Sequence, residues 1–182
     1  MRGFTMIEAL TVIAITTIIA VMAVTELQPL VQEQRANAGL DQTVGQLRTA
    51  RELAISSRRD IEVAFIGNNQ IQLTREEVPA GITVLSTLTL EGTVGFLIFP
   101  GLPDTPDAFG NAFAVDFANL NGGPPLMKFQ SDGTFVDGNG NPINGTVFLG
   151  VTNVPTSARA VTVFGGTGKI RPYKATPNGW IK

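Results

Sequence analysis

Apolar residues run almost unbroken from Phe4 to Val24 and then give way to a periodic pattern, a change that divides the chain. The first stretch, FTMIEALTVIAITTIIAVMAV, holds a single charge, Glu8. As a helix rising about 1.5 Å per residue it spans roughly 30 Å, the thickness of a bilayer's hydrocarbon core. No glycine or capping residue stops it at Val24. Further on, Leu40, Val44, Leu47, Ala50 and Ala54 recur at three- and four-residue steps and so share one helical face. Asp41, Gln42, Arg48, Thr49 and Glu52 lie off that face, with Arg48 and Glu52 spaced for an i,i+4 ion pair. Gly39 and Gly45 are weak points, each costing ~1 kcal/mol against alanine. The pattern predicts one helix over 4–57, apolar all round in 4–24 and amphipathic beyond.

From residue 58 to 182 the period shortens to two. Ile61–Ile66 alternates, Gly67-Asn68-Asn69 turns, and Gln70–Thr74 alternates again, which predicts a hairpin. Further strands are expected at 82–90, 94–99, 112–117, 126–129, 146–151, 160–164 and 169–173. Gly-, Pro- and Asn-rich loops at 100–110, 119–125 and 137–145 separate them. The fold class is α+β: a helical spine whose amphipathic half packs on antiparallel sheets.

Charge sharpens this picture at one point. A carboxylate well inside an apolar span costs ~2.5–3.5 kcal/mol on insertion scales, so Glu8 calls for a cation. Elsewhere charge mainly excludes. The 182 residues carry a net charge of −2, so no global field draws nucleic acid or anionic lipid. Histidine and cysteine are both absent, which removes the usual general base, the thiol nucleophile and the commonest metal ligands. No Ser-x-x-Lys spacing occurs, and neither catalysis nor a cofactor is expected. Asp137, Asn139 and Asn141 have the spacing of a calcium loop's start. Pro142 stands where that loop requires glycine, so a hairpin loop is expected instead. Arg2 before the span, and Glu26 and Glu33 after it, agree with a cytoplasmic N-terminus and an exported C-terminal part.

Gly3-Phe4-Thr5-Met6-Ile7-Glu8-Ala9-Leu10, with the apolar run behind it, resembles the N-terminal signature of type IV pilins and type II secretion pseudopilins. Residues 40–63, together with Phe129-Gln130-Ser131-Asp132-Gly133 and the closing Gly168-Lys169-Ile170-Arg171, resemble the GspH/FimT subgroup. The resemblance implies a leader of residues 1–3, cleavage between Gly3 and Phe4, and methylation of the Phe4 amine. It implies that Glu8 pairs with the Phe4 amine of a neighbouring subunit, so that Phe4 and Glu8 set the register of assembly. It implies as partners a prepilin peptidase, a membrane assembly platform with its ATPase, and other pilins or pseudopilins. The chain would be single-pass in the bacterial cytoplasmic membrane before entering a type II secretion pseudopilus or a type IV pilus. Thr25 stands where the family often has proline, and the nearest proline is Pro29, which displaces or removes the expected kink. A signal peptide cut after Ala23 and a plain membrane anchor are competing readings of the same run.

Near the C-terminus Lys169, Arg171 and Lys174 form a basic cluster interleaved with Tyr173 and Trp180. Resemblance to FimT-like minor pilins makes them candidates for contacting DNA in DNA uptake, with lysine at the first position of a Gly-Arg-x-Arg motif. Solvated charges on the outer face of a terminal strand are the competing reading.

Overall fold

The computed structural model describes residues 5–77 and 79–182, with the side chains at 23–26 outside that description. The helix α1 is continuous over Met6–Ser57. Thr5 caps it and Arg58 ends it in the left-handed region at φ 53°, its N–H donating to the Ala54 carbonyl. Pro29 lies inside α1, where it removes one backbone donor without ending the helix.

Every described side chain from Thr5 to Met22 is exposed, and the first buried position is Ala36. From there Leu40, Val44, Leu47, Ala50 and Ala54 enter the core, on the face that their spacing predicts. Thr43 is buried with them, its hydroxyl donating back to the Gly39 carbonyl at 2.8 Å. Gly39 is a packing requirement, since a Cβ there would stand 2.8 Å from Val94 Cγ1. Gly45 is exposed and would meet nothing within 4 Å. Gly45→Ala is therefore expected to stabilise the fold by about 0.5–1 kcal/mol, visible as a small rise in Tm; a fall would show that Gly45 serves packing after all.

Among the described residues, twelve antiparallel strands follow in two sheets. They are β1 Ile61–Ile66, β2 Gln70–Glu76, β3 Ile82–Thr89, β4 Val94–Phe96, β5 Val115–Phe117, β6 Leu120–Asn121, β7 Met127–Phe129, β8 Phe135–Asp137, β9 Gly145–Val151, β10 Val154–Phe164, β11 Lys169–Thr176 and β12 Gly179–Ile181. One sheet has the order β3-β2-β1-β7-β8 and the other β12-β11-β10-β9-β5-β6, with β4 also on β9. The second half of α1 joins both in one core. Phe65 stacks on Phe117 at 5.9 Å and meets Phe96 edge-on at 5.5 Å, while Phe135 lies between Phe117 and Phe129. Three strands, β6, β8 and β12, are not expected from alternation; with two or three residues each, as in β4, β5 and β7, they are too short to show a period of their own.

Residues 97–114, without strand or helix, cover the face of the second sheet that turns away from α1. The Phe99 ring packs on Gly150, where a Cβ would approach it to 2.7 Å. Ile98 and Trp180 pack on a small separate cluster of Phe148, Ala160 and Tyr173. Trp180 Nε1 donates to the Pro103 carbonyl at 2.8 Å. The strands expected at 94–99 and 112–117 are shortened to 94–96 and 115–117, because the chain leaves the ladder to make this cover.

Candidate functional site

The start of α1 is the first candidate site. Thr5 and Glu8 form a reciprocal capping box: the Glu8 N–H donates to Thr5 Oγ1 at 3.4 Å, and the Thr5 N–H and hydroxyl donate to Glu8 Oε2 at 3.1 and 3.0 Å. Threonine three residues ahead of glutamate is itself the sequence signal for this box, so Thr5 was legible beside Glu8. Further along, Thr11, Thr16 and Thr17 donate their hydroxyls to carbonyls one turn back, at 2.7–3.0 Å. Polar hydroxyls are thus satisfied inside the helix, as a lipid environment demands. The Glu8 carboxylate receives two neutral donors, both from Thr5. Gly3 and Phe4, the expected cleavage and methylation positions, lie outside the described residues.

The second candidate is the basic cluster on β11. Residues two apart on a strand share a face, and the register places Lys169 opposite Phe164, Arg171 opposite Thr162 and Tyr173 opposite Ala160. Lys174 falls on the other face, opposite Arg159, and turns to α1, where its Nζ lies 3.9 Å from Glu33 Oε2. Arg159 is fully buried and ties the same two elements together. Its Nε donates to Asn37 Oδ1 at 2.8 Å and its Nη1 to the Thr156 and Ala158 carbonyls.

Arg171 is occupied too. Its Nη1 pairs with Asp107 Oδ1, while Thr162 Oγ1 and the Tyr173 hydroxyl donate to Asp107 Oδ2 at 2.6 and 2.9 Å. Burial alone would raise the Asp107 pKa, but the two hydroxyl donors and the Arg171 charge outweigh it and hold the carboxyl below its ordinary value. Burial and then the Asp107 bond raise the Tyr173 phenol. Asp107 thereby clamps the 97–114 cover onto β10 and β11. The three basic residues are not brought together: Arg171 is held by a carboxylate, Lys174 faces the helix, and Lys169 is exposed without an ion pair among the described residues.

Lys169 instead borders a groove with Arg48, Arg51, Glu52, Thr167, Gly168 and Ile170. Arg51 is fixed there by the Gly133 and Thr167 carbonyls at 3.2 and 3.1 Å. The ion pair expected between Arg48 and Glu52 does not form. Both side chains are exposed, where the attraction is small against the entropy of holding two long chains still. At Asp137 the carboxylate accepts from the Asn139 and Asn141 N–H groups, both at 2.9 Å, which closes the hairpin loop.

No family model matches the chain. Its sequence is 31% identical over 114 residues to the type IV major fimbrial protein FimA of Dichelobacter nodosus, a match covering 63% of this chain and 70% of that protein. In fold it is similar to the type IV minor pilin FimU of Pseudomonas aeruginosa, with TM-score 0.54, 12% identity, and 84% of this chain and 97% of that one covered. It is also similar to the minor pseudopilin EpsH of the Vibrio cholerae type 2 secretion system, with TM-score 0.50, 15% identity, and 77% and 97% covered.

Proposed function

Because the chain belongs to the type IV pilin-like family, we propose that it is a minor pilin or pseudopilin subunit, cut between Gly3 and Phe4 and built into a type IV pilus or type II secretion pseudopilus. The observation that carries this reading is one unbroken helix with two different halves. From Thr5 to Met22 α1 exposes apolar side chains all round, and from Ala36 it is packed into the β-rich part. A surface of that kind cannot face water, so it lies in lipid before assembly and against other α1 helices afterwards. The Glu8 carboxylate is satisfied there by the Phe4 amine of a neighbouring subunit. The chain is single-pass in the cytoplasmic membrane, and the leader peptidase, platform and ATPase act on it in turn. Its mechanism is mechanical rather than catalytic.

DNA capture through Lys169, Arg171 and Lys174 is the competing reading, and the occupied state of Arg171 weighs against it. Among the described residues Lys169 is the one basic side chain of that strand without an ion pair, so few phosphates can be neutralised. Gel shifts with the detergent-solubilised chain are expected to show at most a weak band at low salt that vanishes at moderate salt. A band that persists at moderate salt, and that Lys169→Ala abolishes, would favour the DNA reading instead.

A further inference from the structure

Two charged surfaces of opposite sign remain unused by anything above. On the outer face of the first sheet Asp60, Glu62 and Glu76 lie around one cation, Lys128, which pairs with two of them: its Nζ lies 2.8 Å from Asp60 Oδ2 and 3.3 Å from Glu76 Oε1. Glu62 is opposite Lys128 in the β1–β7 register, yet it has no ion pair among the described residues. Three carboxylates against one ammonium leave an excess of two negative charges. The groove between α1 and β11 is the converse: Arg48, Arg51 and Lys169 face only Glu52, and none of the three has a carboxylate partner among the described residues. This groove is built rather than casual. Arg51 is locked to the turns at Gly133 and Thr167, and those turns meet so closely that a Cβ on Gly168 would overlap the Gly133 carbonyl oxygen at 1.9 Å.

We infer that these surfaces bind each other between two copies of this chain, the Asp60–Glu62–Glu76 face of one copy docking against the Arg48–Arg51–Lys169 groove of the next. The inference rests on the filament reading and adds a lateral contact to the helix-to-helix pairing at Glu8. Two different patches on one chain make a head-to-tail contact, which generates an open helical array when its rotation does not close. The patches also differ in height along the spine. Asp60 lies just past the end of α1, whereas Arg48 lies about ten residues, or roughly 15 Å, back toward the membrane. Docking one onto the other therefore shifts successive copies along the helix axis. Complementary charge fixes the register of such a contact more than its affinity.

The test uses the full chain in detergent, as an equal mixture of ¹⁵N-labelled and unlabelled copies, treated with a carbodiimide that joins amines to touching carboxylates. The internal Lys128–Asp60 pair serves as the control that the reaction has worked. The expected result is a mixed-isotope cross-link from the Lys169 peptide to the peptide carrying Glu62. Arg48→Glu, which keeps the reactive Lys169 amine, should reduce that cross-link by about tenfold, and adding Glu62→Lys in the same chain should restore dimerisation. Absence of mixed-isotope products while the Lys128–Asp60 link forms would overturn the contact. If Glu8-dependent incorporation persists in that case, the filament reading stands without the contact. If it is lost too, both fall.

Discussion

Glu8→Ala is expected to leave the β-rich part folded and to abolish entry of the chain into the filament. The core begins at Ala36, some forty Å along the spine from Glu8. The substitution removes a capping box worth about 1 kcal/mol at a helix end that contributes nothing to that core, so the Tm should not move. What it removes from assembly is larger. Opposite charges about 4 Å apart attract by ~4 kcal/mol at an effective dielectric near 20, before desolvation is counted. Glu8→Gln separates the two roles. The amide oxygen still accepts from the Thr5 N–H and hydroxyl, so the cap survives, while the charge that attracts an amine is gone. Both variants should be retained in membranes and missing from sheared filaments. Incorporation of Glu8→Gln at the native level would show that capping, rather than charge pairing, is the requirement.

The second large effect is expected at Asp107. Asp107→Asn turns an NH₂ group toward three donors, so Arg171, Tyr173 and Thr162 lose part of a shared acceptor while Tyr173 stays buried. A destabilisation of about 2 kcal/mol follows, or roughly 4–8 °C in Tm for a chain of this size. Trp180, the one tryptophan, donates to Pro103 in the same cover, so its fluorescence should report release of residues 97–114. The pH dependence has a definite sign. Because the folded Asp107 pKa lies below its ordinary value, the clamp contributes fully above the unfolded carboxylate pKa of about 3.9 and is lost as pH falls through the folded value. Asp107→Asn should remove that acid-side loss. An unchanged Tm would mean that the cover is held without Asp107, by the packing of Phe99 and Ile98 and the Trp180–Pro103 hydrogen bond.

Why Asp107 was invisible in the sequence is instructive. It sits in a Gly- and Pro-rich loop, and its partners lie 55 to 66 positions away, so no local pattern joins them. The spine, by contrast, was legible over Met6–Ser57, because an all-round apolar run and a three-to-four-residue period are properties of adjacent residues. Alternation correctly put Lys169 and Arg171 on one face of β11, since side-chain direction is also local. It could not say that a loop carrying a carboxylate would cover that face, nor that Lys174 would turn to Glu33. Arg48 and Lys169 were both visible as charges. Only the packing of the β10–β11 turn on α1 brought them to one groove.

The proposed assembly keeps a carboxylate in an apolar helix because a neighbour's new amino end would neutralise it. Mass spectrometry of the N-terminal peptide from the native protein tests that most directly. The account predicts a chain that starts at Phe4 with a methylated amine. A chain that still begins at Met1, or one trimmed after Ala23, would contradict it.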